Sequence, residues 1–215
     1  MSPKNEQSLP AWSNPEPLGF LALGIGIFSA TPYLTGWVHP MAAIATIPWG
    51  ITALIVYIIV TIILFRNRDL FGGTAFGVLG IILSGAIGLK AVQGLMMLLN
   101  GVTAPPPLAA GGLIVEGMVW VAIAIVLVPI GYLAGYRTRC FAGAVWLADV
   151  GVGMLAAVNF GMISPAVAIV AGYFIFLLGI WFLYFGIAGL VNGTLGRDVI
   201  PIGKPLIKPP APSQG

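Results

Sequence analysis

Charged side chains are scarce in this chain. They make up 7% of its 215 residues, whereas soluble domains usually carry about 25%. Hydrophobic residues account for 59% of the sequence, and the mean hydropathy is +1.05. A water-soluble globule of this length would have too little polar surface to stay in solution. The composition therefore excludes that class and indicates an integral membrane protein.

Cysteine and histidine are almost missing. The single cysteine, Cys140, excludes a disulfide within the chain, and His39 is the single histidine. The sequence also has no glycine-rich phosphate loop. A single histidine cannot supply both a His/Cys metal cluster and a Ser/His/Asp catalytic arrangement. We therefore expect no enzyme activity, no metal and no cofactor, and the net charge of +3 does not indicate nucleic-acid binding.

Six long apolar runs dominate the sequence. Each has about the 20 residues that a helix needs to cross the hydrocarbon core of a bilayer. The runs cover residues 18–37, 42–65, 74–99, 109–134, 141–160 and 166–191. The sequence thus predicts an all-α membrane protein with six transmembrane helices. An N-terminal arm (1–17) and a C-terminal tail (192–215) flank the six-helix domain (18–191).

Basic residues outside the runs fall only at the termini and in alternate connections. They are Lys4, Arg66, Arg68, Arg137, Arg139, Arg197, Lys204 and Lys208. Loops rich in lysine and arginine stay on the cytoplasmic side, so both termini are predicted to be cytoplasmic. The first 17 residues lack the apolar core of a cleavable signal peptide. We expect a multi-pass protein of the cytoplasmic (inner) membrane.

Helices one and three begin alike, with Phe20-Leu21-Ala22-Leu23-Gly24 and Phe76-Gly77-Val78-Leu79-Gly80. Helix five begins with a weaker echo of this pattern at Phe141. The repeat predicts three helical hairpins around a central pore. The many glycines inside the spans favour close helix packing within the bundle, with subunit contacts as the alternative.

Three ionisable residues fall inside the spans, where charge is costly and usually functional or paired. Lys90 and Glu116 have similar depths in neighbouring spans, which predicts an ion pair; the alternative is an outer vestibule in which Lys90 attracts an anion. Asp149 lies in the inner half of helix five, either holding helices together or facing the pore. Asn159 is a further candidate polar residue of the pore.

Short motifs flank the six spans. Asn14-Pro15-Glu16-Pro17-Leu18-Gly19 precedes the first span, Thr74-Ala75-Phe76 begins the third, and Asn192 with the segment Gly196-Arg197-Asp198-Val199-Ile200-Pro201-Ile202-Gly203 follows the sixth. In this order they resemble the motifs of the acetate uptake transporter family, the succinate–acetate permeases. The resemblance covers almost the whole chain.

The resemblance implies a homo-hexamer in which each six-helix protomer has its own pore for acetate and related small carboxylates, with proton-linked transport as one mechanism. It also implies a hydrophobic constriction contributed by helices one, three and five. Carried over through the flanking motifs, its members are Leu23, Leu79 and Trp146. This chain differs from the family pattern there, because two leucines and a tryptophan replace a ring that includes an aromatic pair.

The residues of the first motif have two interpretations. Pro15 and Pro17 disfavour helix just ahead of the span and leave Asn14 in a bend near Gly19. The bend is either a structural helix entry or a contact for substrate at the mouth of the pore.

Other functions remain open from sequence alone. The alternative transport function is a channel for a neutral small solute such as urea, an amide or ammonia, which a leucine-rich constriction would suit. A sensor or assembly scaffold is a third hypothesis, which the short loops disfavour.

Overall fold

The computed structural model describes residues 12–102 and 111–208. Lys4, used in the charge pattern, lies outside them. Within these ranges the chain forms six α-helices, with a 3₁₀ turn at Pro40–Thr46 before the second. The helices are α1 (Glu16–Leu34), α2 (Ile47–Arg66), α3 (Leu70–Asn100), α4 (Gly112–Arg137), α5 (Arg139–Asn159) and α6 (Val167–Leu195). Six spans are long and apolar enough to cross a membrane, which confirms the predicted fold class.

Local sequence signals set the ends of several helices. The Asp69 carboxylate accepts a hydrogen bond of 2.8 Å from the Gly72 N–H and so caps the start of α3. At its other end, α3 stops at Gly101, whose φ of 62° is left-handed. Helix α6 stops in the same way at Gly196. Glycine adopts this conformation without the steric cost of a side chain.

Both described ends of the chain lie on one side of the bundle. The Trp12 N–H donates to Asn67 Oδ1 at 2.9 Å, which ties the N-terminal arm to the α2–α3 connection. The Arg139 N–H donates to the Lys204 carbonyl at 2.9 Å, which ties the tail to the α4–α5 connection. These segments carry the basic residues of the charge pattern, so this side is the predicted cytoplasmic side.

The helices pack most closely in three pairs: α1 with α6, α2 with α3, and α4 with α5. The first and last helices therefore close the bundle on itself. Large apolar side chains remain exposed on its outside, as at Ile51, Ile55 and Ile62 of α2. Apolar outer faces suit contact with lipid tails.

A row of glycines on α6 lets α1 approach it. Gly172, Gly179 and Gly186 recur every seven residues, so they share one helix face. A Cβ atom added at Gly172 would come within 2.6 Å of the Leu34 carbonyl oxygen, and one at Gly186 within 2.6 Å of Leu21. These glycines serve packing within the bundle, as the first interpretation of the glycine pattern predicts.

Substitution at this contact is a test of how tightly α1 and α6 pack. We expect Gly172→Ala to lower the free energy of unfolding by about 1–3 kcal/mol, because the clash is with backbone that cannot move aside cheaply. Gly193→Ala is the matched control, since a Cβ there meets no atom within 4 Å. Thermal unfolding in detergent compares the two; equal stability of both variants would contradict the close contact.

Candidate transport pathway

A central cavity of about 540 Å³ lies inside the bundle. Helices α1, α3, α4, α5 and α6 form its wall, together with residues of the α1–α2 and α5–α6 connections. It reaches the outer ends of the helices, where Leu34, Met97, Glu116 and Asn159 line it. The cavity therefore extends from the predicted outer side toward the middle of the membrane.

The inner end of the cavity is apolar. On each helix of the wall, one lining residue lies nearest to the predicted cytoplasmic side. These five residues, which we call the floor, are Leu23, Leu79, Leu127, Ala148 and Phe182. Leu23 and Leu79 are 2% and 6% exposed. The structure thus brings together two of the three residues predicted for the constriction.

Trp146 does not join them, which corrects the predicted third member. Its side chain is 41% exposed, and the indole lies over Gly131 of α4, where an added Cβ would come within 3.0 Å of the ring. Ala148 takes the position on the floor, followed along the cavity wall by Val152. At about 100° per residue, Trp146 and Ala148 lie on nearly opposite faces of α5. The flanking motifs fixed the depth on the helix but not its rotation.

A phenylalanine cluster closes the bundle beneath the floor. Phe20 is its centre, with ring centroids 4.9 Å from Phe76, 5.4 Å from Phe141 and 5.6 Å from Phe185. Phe182 belongs to both the floor and this cluster, at 5.8 Å from Phe20. Offset and edge-on aromatic pairs of this kind add stability beyond the area that they bury.

An ion network lies beyond the phenylalanine cluster, on the predicted cytoplasmic side. The Arg137 guanidinium at the end of α4 donates to the Glu16 carboxylate of α1 and to the Asp69 carboxylate at the start of α3. It also lies 5.0 Å from the centre of the Phe71 ring. Sequence reasoning took Arg137 as a topological anchor and missed this role. The sequence did contain a signal for this network. Two carboxylates at the starts of helices and one arginine at the end of a helix all fall on the predicted cytoplasmic side.

The Asn-Pro motif forms a helix entry. Asn14 Oδ1 accepts from the Glu16 N–H at 3.0 Å, and Asn14 Nδ2 donates to Glu16 Oε2 at 3.3 Å. Pro17 packs against Gly189 of α6, and Gly19 lies so close to Phe76 that an added Cβ would be 2.4 Å from the ring. Pro15 is buried at the N-cap of α1. The four motif residues Asn14, Pro15, Pro17 and Gly19 do not line the cavity. These contacts therefore favour the interpretation of the motif as a structural helix entry.

The predicted ion pair at the outer end of the cavity is present. Lys90 Nζ lies 3.7 Å from Glu116 Oε1, and both residues line the cavity. The Trp120 indole N–H also donates to Glu116 Oε1, at 3.3 Å. Asn159 lines the cavity near the same end, as does Gln93. The polar part of the wall is therefore concentrated at the outer end.

Asp149 does not line the cavity, which speaks against the second of its two interpretations, a position facing the pore. It is half-buried and shares a face of α5 with Trp146 and Gly153, three and four residues away. Within the described residues, no hydrogen bond or ion pair involves its side chain. Nothing lies within 4 Å of a Cβ added at Gly153. The protomer surface is therefore open at Gly153 in the single chain.

Comparison with known proteins shows a likeness in structure. No protein-family model and no curated protein matches the sequence. A solved structure of the bacterial acetate channel SatP aligns with a TM-score of 0.71 over 89% of this chain and 99% of that chain, at 21% sequence identity. This chain has the SatP fold. The fold implied by the terminal motifs is thereby confirmed.

The Arg137 network joins α4 to the starts of α1 and α3. We expect Arg137→Gln to lower the free energy of unfolding by about 1–3 kcal/mol, because two half-buried carboxylates lose their partner. Arg139→Gln is the matched control, since the Arg139 side chain is exposed. Thermal unfolding is the measurement, and equal effects of the two changes would show that position near the helix end matters more than the ion pairs.

Proposed function

We propose that this protein is a membrane channel or transporter for acetate and related small carboxylates, and that it belongs to the acetate uptake transporter family. The observation that carries the proposal is the cavity, which runs from the outer side to the floor through the centre of a SatP-fold bundle. The terminal motifs support it independently. A pathway so placed is suited to moving small solutes across the membrane.

The floor is suited to selecting small solutes with an apolar end. It contains no charged residue, and Leu23, Leu79 and Phe182 are buried. A dry apolar constriction resists water and hydrated ions. A methyl group loses no hydrogen bonds on entering it, whereas every polar atom must give up water. Short monocarboxylates combine one small apolar end with one polar end.

The assembly and location are part of the same proposal. We infer a homo-hexamer in the cytoplasmic membrane, in which each protomer transports through its own cavity. The open surface at Gly153, next to Asp149 on α5, supports contact with a neighbouring copy, because a carboxylate in a membrane span is costly when it faces lipid. The basic residues on the side of the termini support the cytoplasmic orientation of both ends.

A neutral small solute is the second candidate. Lys90 and Glu116 carry opposite charges, so together they give the outer end of the cavity no net charge. An uncharged solute such as urea or an amide would then enter as readily as an anion. Direct competition between the two kinds of solute separates these functions.

Flux into proteoliposomes tests the proposed function. We expect saturable uptake of labelled acetate that propionate inhibits, measured after subtraction of uptake into protein-free liposomes. Labelled urea is the parallel substrate. Urea uptake without acetate uptake would contradict the carboxylate function and favour the second candidate.

Ala148 is expected to set the size limit at the floor. Ala148→Leu adds a branched side chain at the narrow end of the cavity, so we expect propionate uptake to fall more than acetate uptake, by about tenfold or more. Trp146→Leu, two residues away on the opposite face, is the matched control and should leave the ratio of the two unchanged. If only the Trp146 variant changed the ratio of propionate to acetate uptake, Trp146 and not Ala148 would be the residue of α5 that contributes to the constriction.

A further inference from the structure

The Lys90–Glu116 pair has unused hydrogen-bonding capacity. The two charged atoms are 3.7 Å apart, which is beyond an ordinary hydrogen bond, so the three N–H groups of the ammonium remain available. Glu116 Oε1 accepts one bond, from Trp120 at 3.3 Å. Glu116 Oε2 is buried and has no hydrogen-bond partner within the described part of the chain. An ionised acceptor left in this way is costly.

The pair can offer this capacity to a molecule in the cavity. Both residues line it, and the Lys90 side chain is 36% exposed whereas that of Glu116 is 11% exposed. The terminal torsion of a glutamate side chain is broad and roughly two-fold. Rotation about this torsion can therefore turn either carboxylate oxygen of Glu116 toward the cavity. The site then presents one donor and one acceptor side by side.

The charge of the pair favours a neutral partner. Among the described residues of the cavity wall, Lys90 and Glu116 are the charged side chains, and Tyr33 of α1 is a further titratable one. A carboxylate anion could accept from Lys90, but it would bring a second negative charge toward Glu116 and leave Oε2 without a donor. A group that accepts and donates through neighbouring atoms would satisfy both residues.

The wall below the pair points to the same choice. Along α3 from Lys90 to Leu79, and along α4 from Glu116 to Leu127, the cavity extends roughly 16 Å. Ile82, Ala86, Val152 and Leu178 line this stretch. An anion would have to pass it without a cation to offset its lost hydration, which is strongly unfavourable.

We propose that Lys90 and Glu116 form a binding site for neutral groups of the form R–C(=O)–XH, in which the carbonyl oxygen accepts from Lys90 Nζ and the X–H group donates to the Glu116 carboxylate. Two kinds of solute carry this group: a carboxylic acid in its protonated form and a primary amide. The acid arm rests on the proposed function. The amide arm does not, because it follows from the hydrogen-bonding pattern alone.

Acetamide tests the site in the wild-type protein, because it has the shape of acetic acid and does not titrate in this range. Labelled-acetate uptake is measured at about pH 5.5 and about pH 7.5 with increasing acetamide. Since the neutral share of the acid falls about tenfold per pH unit, we expect the half-saturating total acetate concentration to rise toward about a hundredfold. The inhibition constant of acetamide should stay the same at both pH values.

Glu116→Gln is the decisive variant, because it replaces an acceptor oxygen by an N–H donor of the same shape. We expect acetamide inhibition to weaken about tenfold or more, and the half-saturating acetate concentration to lose most of its pH dependence as the anion becomes acceptable. Asp149→Asn makes the same chemical change away from the cavity and should keep both wild-type properties. These readouts separate recognition from a loss of folding.

The outcomes distinguish the site from the proposed function. If the half-saturating acetate concentration were the same at both pH values and acetamide did not inhibit, the proposed site would be overturned. The carboxylate function would still stand, because acetate would be taken up. Labelled acetamide uptake that Glu116→Gln weakens, without acetate uptake at either pH, would support the site and overturn the carboxylate function. Unchanged acetamide inhibition in a folded Glu116→Gln variant would also overturn the site.

Discussion

Close contact between α1 and α6 is the constraint on which the cavity depends. Each helix satisfies its own backbone hydrogen bonds, so the membrane itself does not dictate how the six helices meet. The glycines at 172, 179 and 186 allow the first and last helices to touch along their length. This contact closes the bundle, and only a closed bundle can keep an internal cavity apart from lipid. Larger side chains on this face of α6 would separate α1 from the wall that it forms.

Charge is placed at the two ends of the pathway and is kept out of its middle. Arg137 joins Glu16 and Asp69 on the predicted cytoplasmic side, and Lys90 faces Glu116 near the outer side. Between them lie the floor and the phenylalanine cluster. The inner network fixes helix positions, because its members start or end three helices. The outer pair contacts the cavity and is available to a solute.

The sequence was sufficient to predict the six helices and the relative depth of residues in the membrane. It was insufficient to predict how each helix is rotated about its own axis. Hydropathy locates a span, and counting residues along two spans placed Lys90 opposite Glu116 correctly. Rotation was harder on α5, because apolar residues occupy its outer face as well as its inner one. Trp146 faces the outside and Ala148 the floor, although they are two residues apart. Arg137 was missed because its partners come from distant segments that meet only after the bundle has closed.

The order of environments along the pathway explains why a hydrogen-bonding pair belongs at its outer end. A solute loses most of its water where the polar wall gives way to Ile82, Val152 and Leu178. Groups placed before that point can replace lost water, whereas groups placed after it would hold the solute in an apolar site from which release is slow. Binding must be strong enough for entry and weak enough for exit. A pair of opposite charges meets both needs, because each residue offsets the charge of the other and neither holds an ion alone.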